Sequence, residues 1–396
     1  MTSGSAPTPA IDYEELRRLA REFAEHEIMP IADEIDRKDL DLPESLLEKM
    51  AATGYFGPQI PEQWGGAGLD TRSIAIITEE LCRGLLSAGS VLGRNFLMAD
   101  LLWHDGTEEQ RKRYLTAIAT GKIQTAWSGT EPQAGSDSAN VQLRAERKGD
   151  TYYLTGTKMW CTFAHRANVL FVYARTDPNA KPKHRGISCF MVEKTPGLDF
   201  ASPTLTGSHI PTTGYHGLKS FMLYFDNHPV PAANLLGGVE NKGFYQLMKG
   251  YELARTAFSA RCVGLAQAAY EAALEYSRNR VQFGKPIMDF QVTRFKLAEM
   301  ATDITAARQL VLHVASLRDA GQRCDLEAGM AKVFCSEVAR KHTWTALQLH
   351  GGLGFSTETK VNRYWRDAAL LPIGEGTNDI QKEVIAKGLI GEDRRS

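Results

Sequence analysis

The stretch Ile373-Gly374-Glu375-Gly376-Thr377-Asn378-Asp379-Ile380 sets a glutamate between two glycines and follows it with hydroxyl and amide side chains. Glycines let a backbone take unusual dihedral angles and approach another molecule closely. A carboxylate presented in that way is a candidate general base. On its own the stretch also reads as a surface turn, because Gly, Asn and Asp cluster in turns. Two further stretches offer such a base something to act with. Thr130-Glu131-Pro132-Gln133-Ala134-Gly135-Ser136-Asp137 supplies hydroxyls and backbone N–H groups in a glycine-containing turn, suited to an electron-rich ring or a phosphate. Trp160-Cys161-Thr162 sets an indole beside a hydroxyl, a pair that can stack on an aromatic cofactor and hydrogen-bond to it. Taken alone, Trp160 reads as a core aromatic.

These residues need a scaffold, and the chain is long enough to build one. Its 396 residues suffice for more than one domain and a large buried core. Hydrophobic residues make up 43% and charged residues 23%, as in soluble globular proteins. The net charge of -1 gives no bulk attraction to nucleic acid or to an anionic membrane surface. No apolar run approaches the ~18 residues of a membrane span. The opening residues Met1 to Pro7 lack the basic and apolar regions of a signal peptide and read as a short lead-in. The six cysteines form no CxxC pair and no metal-ligand spacing. They read as reduced, mostly buried thiols of a cytoplasmic protein with no metal site.

From Ile11 to about Lys122 the apolar period is helical. Leu16, Leu19, Phe23 and Ile28 mark the first helix, Pro43 fits the first turn of a second, and residues 54–70 form a Gly- and Pro-rich loop. Helices resume over 71–86 and 91–103, and Thr107-Glu108-Glu109-Gln110 resembles a capping box. Near Ile123 the period changes. Val141, Leu143 and Ala145 alternate with polar residues, and runs at 152–154, 169–173, 187–192 and 221–225 have strand length. From Gly243 the chain is predicted helical to its end. Leu297, Ile304 and Val311 recur by heptads with Met300, Ala307 and Val314 between them, and Met330, Val333, Phe334 and Val338 form a second stripe. The expected layout is a helical domain over 1–122, a β domain over 123–234 and a helical bundle domain over 235–396.

Trp127-Ser128-Gly129-Thr130-Glu131-Pro132-Gln133-Ala134-Gly135-Ser136-Asp137, with Met159-Trp160-Cys161-Thr162, resembles the flavin-binding segments of acyl-CoA dehydrogenases. Further matches follow in order: Asn279-Arg280-Val281-Gln282-Phe283-Gly284-Lys285-Pro286, Gln291, Gln348-Leu349-His350-Gly351-Gly352, Arg366-Asp367 and Glu375-Gly376-Thr377-Asn378. The resemblance covers nearly the whole chain. It implies an α+β multidomain fold: an α-helical N-terminal domain, a β-barrel-like middle domain and a C-terminal four-helix bundle.

The resemblance also implies roles. Trp127, Gly129, Thr130, Gly135, Ser136, Trp160 and Thr162 would line FAD within one subunit. Arg280, Gln282, Phe283, Gln291, Gln348, Gly351 and Gly352 would reach the FAD of a neighbouring subunit, which implies a homo-oligomer, usually a tetramer. Thr377 and Asp379 would also approach the cofactor. Ser136, Glu252, Arg255 and Gly376 match positions that contact the acyl-CoA. Glu375 would remove the α-proton of the thioester while a hydride leaves the β-carbon for the flavin, giving a trans-2-enoyl-CoA and passing electrons to an electron-transferring flavoprotein.

There are departures from the family pattern. Some members carry the base just before the arginine matched by Arg255; that position here is Ala254, so the duty falls on Glu375. Gly374 stands where many members have tyrosine, which is expected to open room for a branched or cyclic acyl group. Arg94 lies in a segment that is usually uncharged; if it faces the pocket it needs a carboxylate on the substrate or a partner such as Asp100 or Glu80. The competing functions are an acyl-CoA oxidase reoxidised by O2 and a catalytically silent acyl-CoA-binding protein.

Overall fold

Asp12 accepts hydrogen bonds from the N–H groups of Glu14 and Glu15 and so caps α1 (Tyr13–Phe23). The structure is a computed structural model that describes residues 11–200 and 202–391, and the lead-in at Met1 to Pro7 lies outside them. A π-helical turn over Ala24–Ile28 joins α1 to α2 (Met29–Arg37), so the first predicted helix carries a bulge. Pro43 precedes α3 (Glu44–Ala52) as its extended cap residue, one position earlier than predicted. The Gly- and Pro-rich stretch is the expected loop, and α4 (Thr71–Gly84), α5 (Leu86–Asp105) and α6 (Glu108–Ala119) follow it. At α6 the predicted capping box is complete: Thr107 Oγ1 accepts from the Gln110 N–H, and Gln110 Oε1 accepts from the Thr107 N–H.

The middle of the chain forms one sheet from β1 (Thr125–Ser128), β2 (Arg144–Lys148), β3 (Thr151–Thr162), β4 (Val169–Arg175), β5 (Ile187–Glu193), β6 (Leu205–Ile210) and β7 (Ser220–Pro231). Its order is β1-β4-β2-β3-β7-β6, with β5 also paired to β4. β1 runs parallel to β4, whereas β3–β7, β6–β7 and β4–β5 are antiparallel. Leu154, Leu170, Val172, Phe190 and Leu223 are buried in its core. β1 is too short, and β6 with its Gly207-Ser208-His209 centre too polar, to give a strand signal in the sequence.

The last part is built on α7 (Gly243–Asn279), about 55 Å long at the usual helical rise. It is not helical throughout. A hairpin, β8 (Val281–Gln282) with β9 (Lys285–Pro286), separates α7 from α8 (Gln291–Asp319). Then come α9 (Asp325–Leu349), α10 (Gly352–Phe355), α11 (Lys360–Ala368) and α12 (Asn378–Ile390). The α8 stripe is buried as predicted, through Leu297, Met300, Ile304, Ala307, Val311 and Val314. The α9 stripe is buried only at Val338. Phe334 is exposed and Met330 and Val333 are half-buried, while Ala328, Ala331, Cys335 and Ala339 form the buried face. Small residues on α9 meet Ala266, Ala269 and Ala273 of α7, so the two backbones approach closely and the bulkier side chains are left on the flank. All six cysteines are free and buried.

Candidate active site

Glu375 lies in the turn between α11 and α12. The N–H groups of Ile373 and Gly374 both donate to the Leu370 carbonyl, and the Asn378 N–H donates to the Pro372 carbonyl at 2.9 Å, which closes the turn. Thr377 Oγ1 accepts from the Ile380 N–H and caps α12. The loop is also tied from the inside. Lys332 of α9 is fully buried and donates to Asn378 Oδ1 at 2.8 Å and to the Pro372 carbonyl at 3.3 Å, and burial lowers its amine to about 8. These ties hold Glu375 at φ 53, a left-handed conformation that a residue with a Cβ seldom adopts, beside Gly376 at φ 86. Strained backbone of this kind persists only where surrounding structure fixes it. Among the described residues the Glu375 N–H has no acceptor and its buried Oε2 has no partner.

Glu375 Oε1 does have one neighbour: it accepts from Arg261 Nη1 of α7 at 3.3 Å. Arg261 is 7% exposed in its side chain and its Nε is unpartnered. One turn and a half earlier on α7, Arg255 is buried over the Tyr251 ring at 4.9 Å, its Nε also unpartnered, and burial lowers its pKa. Ala254 is buried, so no carboxylate precedes Arg255 to compete with Glu375. Glu252 is half-buried; burial is the main cause of its raised pKa. Beside Gly374 a Cβ would stand in ordinary contact with the Phe258 ring at 3.5 Å, so Phe258 borders the position that a tyrosine holds in many relatives. Arg94 is half-buried, and neither expected acid pairs with it: Asp100 binds Arg318, and Glu80 binds Arg17, Arg21 and Arg83. Its guanidinium instead donates to the Ser90 carbonyl at 2.9 Å and to the Tyr215 hydroxyl at 3.4 Å.

The second part of the site is the turn after β1. Glu131 organises it: its carboxylate accepts from the N–H groups of Gln142 and Leu143 and from Lys158 Nζ at 2.8 Å. Lys158 lies on β3, is fully buried, and also donates to the Gly129 carbonyl at 3.1 Å. Burial lowers the Lys158 amine, and Glu131 opposes that shift. A register shift between Lys158 and Cys161 then turns the next residue outward. Trp160 takes φ 58 and is 48% exposed, so the core-aromatic reading is wrong for it. Thr162 Oγ1 pairs with Ser220 Oγ at 2.8 Å. Gly129, Thr130, Gly135, Trp127, Tyr173 and Tyr251 line a cavity of about 30 Å³, and the Trp127 Nε1–H is buried without a partner. Through Tyr251 and Arg255 this wall connects to the Glu375 turn. The sequence thus singled out both halves of the site but missed Lys158, Arg261 and Lys332. Each is a lone cation in an apolar or small-residue run, such as Ser259-Ala260-Arg261-Cys262-Val263, and that pattern was the available signal.

Removing one partner of the buried Lys158–Glu131 pair strands the other charge. Glu131→Gln is expected to cost ~3–5 kcal/mol of stability. Thermal unfolding of the variant against the wild-type protein checks this; an unchanged melting temperature would contradict it.

The remaining predicted residues lie elsewhere. Arg280, Gln282 and Phe283 are exposed on the β8–β9 hairpin and its approach, and Phe283 is 93% exposed at φ 51. Gln291 is exposed at the start of α8, and Gln348, Gly351 and Gly352 are exposed at the end of α9. Lys296 Nζ donates to Gln348 Oε1 at 2.8 Å, which ties these two groups together. Among the described residues no hydrogen bond joins either group to the Trp127–Ser136 wall. Ser136 and Asp379 are exposed.

The acyl-CoA dehydrogenase N-terminal, middle and C-terminal domain models match residues 11–122, 126–228 and 241–390. The chain belongs to the acyl-CoA dehydrogenase family. It is similar to the (2S)-methylsuccinyl-CoA dehydrogenase of Cereibacter sphaeroides, with 42% identity covering 96% of this chain and 70% of that one. It is 39% identical to the caffeyl-CoA reductase-Etf complex subunit CarC of Acetobacterium woodii, over 95% of this chain and 97% of that one. Its fold matches the butyryl-CoA dehydrogenase of Megasphaera elsdenii with a TM-score of 0.91 and 34% identity, covering 97% of this chain and all of that one. This acyl-CoA dehydrogenase therefore has the family fold of N-terminal helices, a middle half-barrel sheet and C-terminal helices, and the family consists of FAD-dependent oxidoreductases. The residues present fit that cofactor. The outward Trp160 indole offers an aromatic face, Gly135 has open space where a Cβ would stand, and the Trp127 Nε1–H is an unused donor.

Proposed function

We propose that this acyl-CoA dehydrogenase removes the α-proton of a short acyl-CoA thioester with Glu375 and yields the trans-2-enoyl-CoA. The observation that carries the reading is the Glu375 turn. Its backbone is left-handed, and among the described residues one carboxylate oxygen and the N–H of the same residue have no partners. The carboxylate takes the proton. The N–H donates to the thioester oxygen as negative charge develops there, the point at which a fixed dipole lowers the barrier most. FAD, when bound, supplies the acceptor for the hydride that leaves the β-carbon.

Trp127, Gly129, Thr130, Gly135, Ser136, Trp160 and Thr162 hold FAD in this reading, with Thr377 and Asp379 nearby. Ser136, Glu252, Arg255, Gly374 and Gly376 line the path of the thioester. Arg280, Gln282, Phe283, Gln291, Gln348, Gly351 and Gly352 serve the FAD of a neighbouring copy, in a homotetramer. Exposed Phe283, Phe295, Trp344, Leu353 and Phe355 support an interface on these elements, because an apolar group of this size is seldom left in water. An electron-transferring flavoprotein accepts the electrons, and the Etf complex named for the Acetobacterium relative supports this partner. The acyl groups named for the Cereibacter and Megasphaera relatives are short, which supports a short chain here.

Assay of the FAD-loaded protein with butyryl-, 2-methylbutyryl- and octanoyl-CoA and an artificial electron acceptor tests the reading. Enoyl-CoA is expected without O2 consumption. Hydrogen peroxide formation at the same rate in air without the artificial acceptor would favour the oxidase, and no product from any thioester would favour the silent binding protein.

A further inference from the structure

Arg261 has no place in the reading above, yet it stands against the base. We propose that Arg261, together with Arg94 and the Tyr215 hydroxyl, binds a carboxylate at the far end of the acyl group, so that the substrate is a short dicarboxylic acyl thioester. This rests on the dehydrogenase reading and narrows its substrate class.

A pocket for a plain hydrocarbon tail has no use for a buried guanidinium, since an unpaired buried charge is costly. Arg261 is nonetheless built in with care. A Cβ at residue 93 would come within 1.9 Å of its Nη2, so Gly93 is what admits the side chain. Phe258 lies under it at 5.5 Å, and among the described residues its one anionic hydrogen-bond partner is Glu375 at 3.3 Å. That partner is lost during turnover. When Glu375 takes the α-proton it becomes neutral, and Arg261 is then a buried cation with nothing opposite it. An acyl group that ends in a carboxylate supplies an anion for Arg261 at that moment, so the guanidinium is not stranded when Glu375 is protonated.

Arg94 points to the same occupant. Its guanidinium binds only neutral groups, the Ser90 carbonyl and the Tyr215 hydroxyl, and no carboxylate of the described residues pairs with it. Arg94 directly follows Gly93, the residue packed against the Arg261 guanidinium, so α5 brings the two arginines to neighbouring positions. Tyr215 is itself held at φ 65 by the bond from its N–H to buried Asp367, 2.6 Å. Two arginines thus stand at neighbouring positions, and among the described residues the one carboxylate that either guanidinium binds is Glu375, which is needed for the reaction. Arginine suits the task because its planar fork matches a carboxylate.

The test compares kcat/KM for succinyl-, methylsuccinyl- and glutaryl-CoA with that for butyryl-, 2-methylbutyryl- and valeryl-CoA, on wild-type holoenzyme and on Arg261→Gln. The best dicarboxylic thioester is expected to exceed its neutral counterpart by roughly 10²-fold, and the ratio to collapse in Arg261→Gln. A wild-type experiment needs no variant to fold: the terminal methyl ester of the preferred thioester should be oxidised roughly 10²-fold less efficiently than the free acid. Equal efficiency on acid, ester and hydrocarbon overturns this assignment and leaves the dehydrogenase reading intact. A ratio unchanged by Arg261→Gln, with both classes slowed alike, assigns Arg261 to holding Glu375 and overturns carboxylate binding. Oxidation of neither class overturns the dehydrogenase reading together with this one.

Discussion

Glu375→Gln is expected to lower turnover by roughly 10³-fold or more while FAD and acyl-CoA still bind, since a positioned general base contributes ~10²–10⁴. Glutamine keeps the size of the side chain and an oxygen for Arg261 to donate to. It cannot take a proton from carbon. No second carboxylate stands ready on α7, where Ala254 precedes Arg255. Glu252 is the nearest acid on that helix, and its carboxylate is engaged with the Cys324 thiol at 3.8 Å. The loss should therefore fall on kcat, with little change in the affinity for a ligand. Turnover within a few-fold of wild type would remove Glu375 from the role.

Arg280→Ala is expected to weaken FAD retention by roughly 10–100-fold and to loosen assembly as well. Charge-assisted hydrogen bonds of the kind an arginine makes to a diphosphate are worth ~1.5–3 kcal/mol each. Arg280 is exposed at the end of α7 and its side chain has no hydrogen-bond partner in its own chain among the described residues. The adjoining hairpin displays Phe283 almost wholly in water. Both facts fit a surface completed by a neighbouring copy. Sizing with simultaneous flavin absorbance separates the outcomes, and a stable FAD-loaded monomer of the wild type would refute the shared site.

Much of the frame was legible because its determinants are local. The capping box at Thr107, the heptad stripe of α8 and the Gly-Glu-Gly turn each depend on residues a few positions apart. The two turns that build the candidate site were legible as turns for the same reason. The α9 stripe misled because hydrophobic size was taken as the sign of burial. Where Ala and Cys let two helices approach closely, size and burial part company. At Gly374 the neighbour that borders the missing side chain is Phe258, a residue remote in sequence. Lys158, Lys332 and Arg261 stood out only as lone cations in apolar or small-residue runs, and their roles were hidden for a stronger reason. A buried cation is tolerable only with its partner, and Glu131, Asn378 and Glu375 are remote in sequence.

Anaerobic mixing of the FAD-loaded protein with its best thioester, deuterated at the α-carbon alone or at both the α- and β-carbons, tests the central claim most directly. The flavin absorbance is expected to bleach, more slowly with either deuterated substrate than with the unlabelled one, and in Glu375→Gln it should show ligand binding with almost no bleaching. Bleaching of Glu375→Gln at the wild-type rate, or a wild-type rate indifferent to deuterium at both carbons together with no enoyl-CoA formed, would contradict α-proton removal by Glu375.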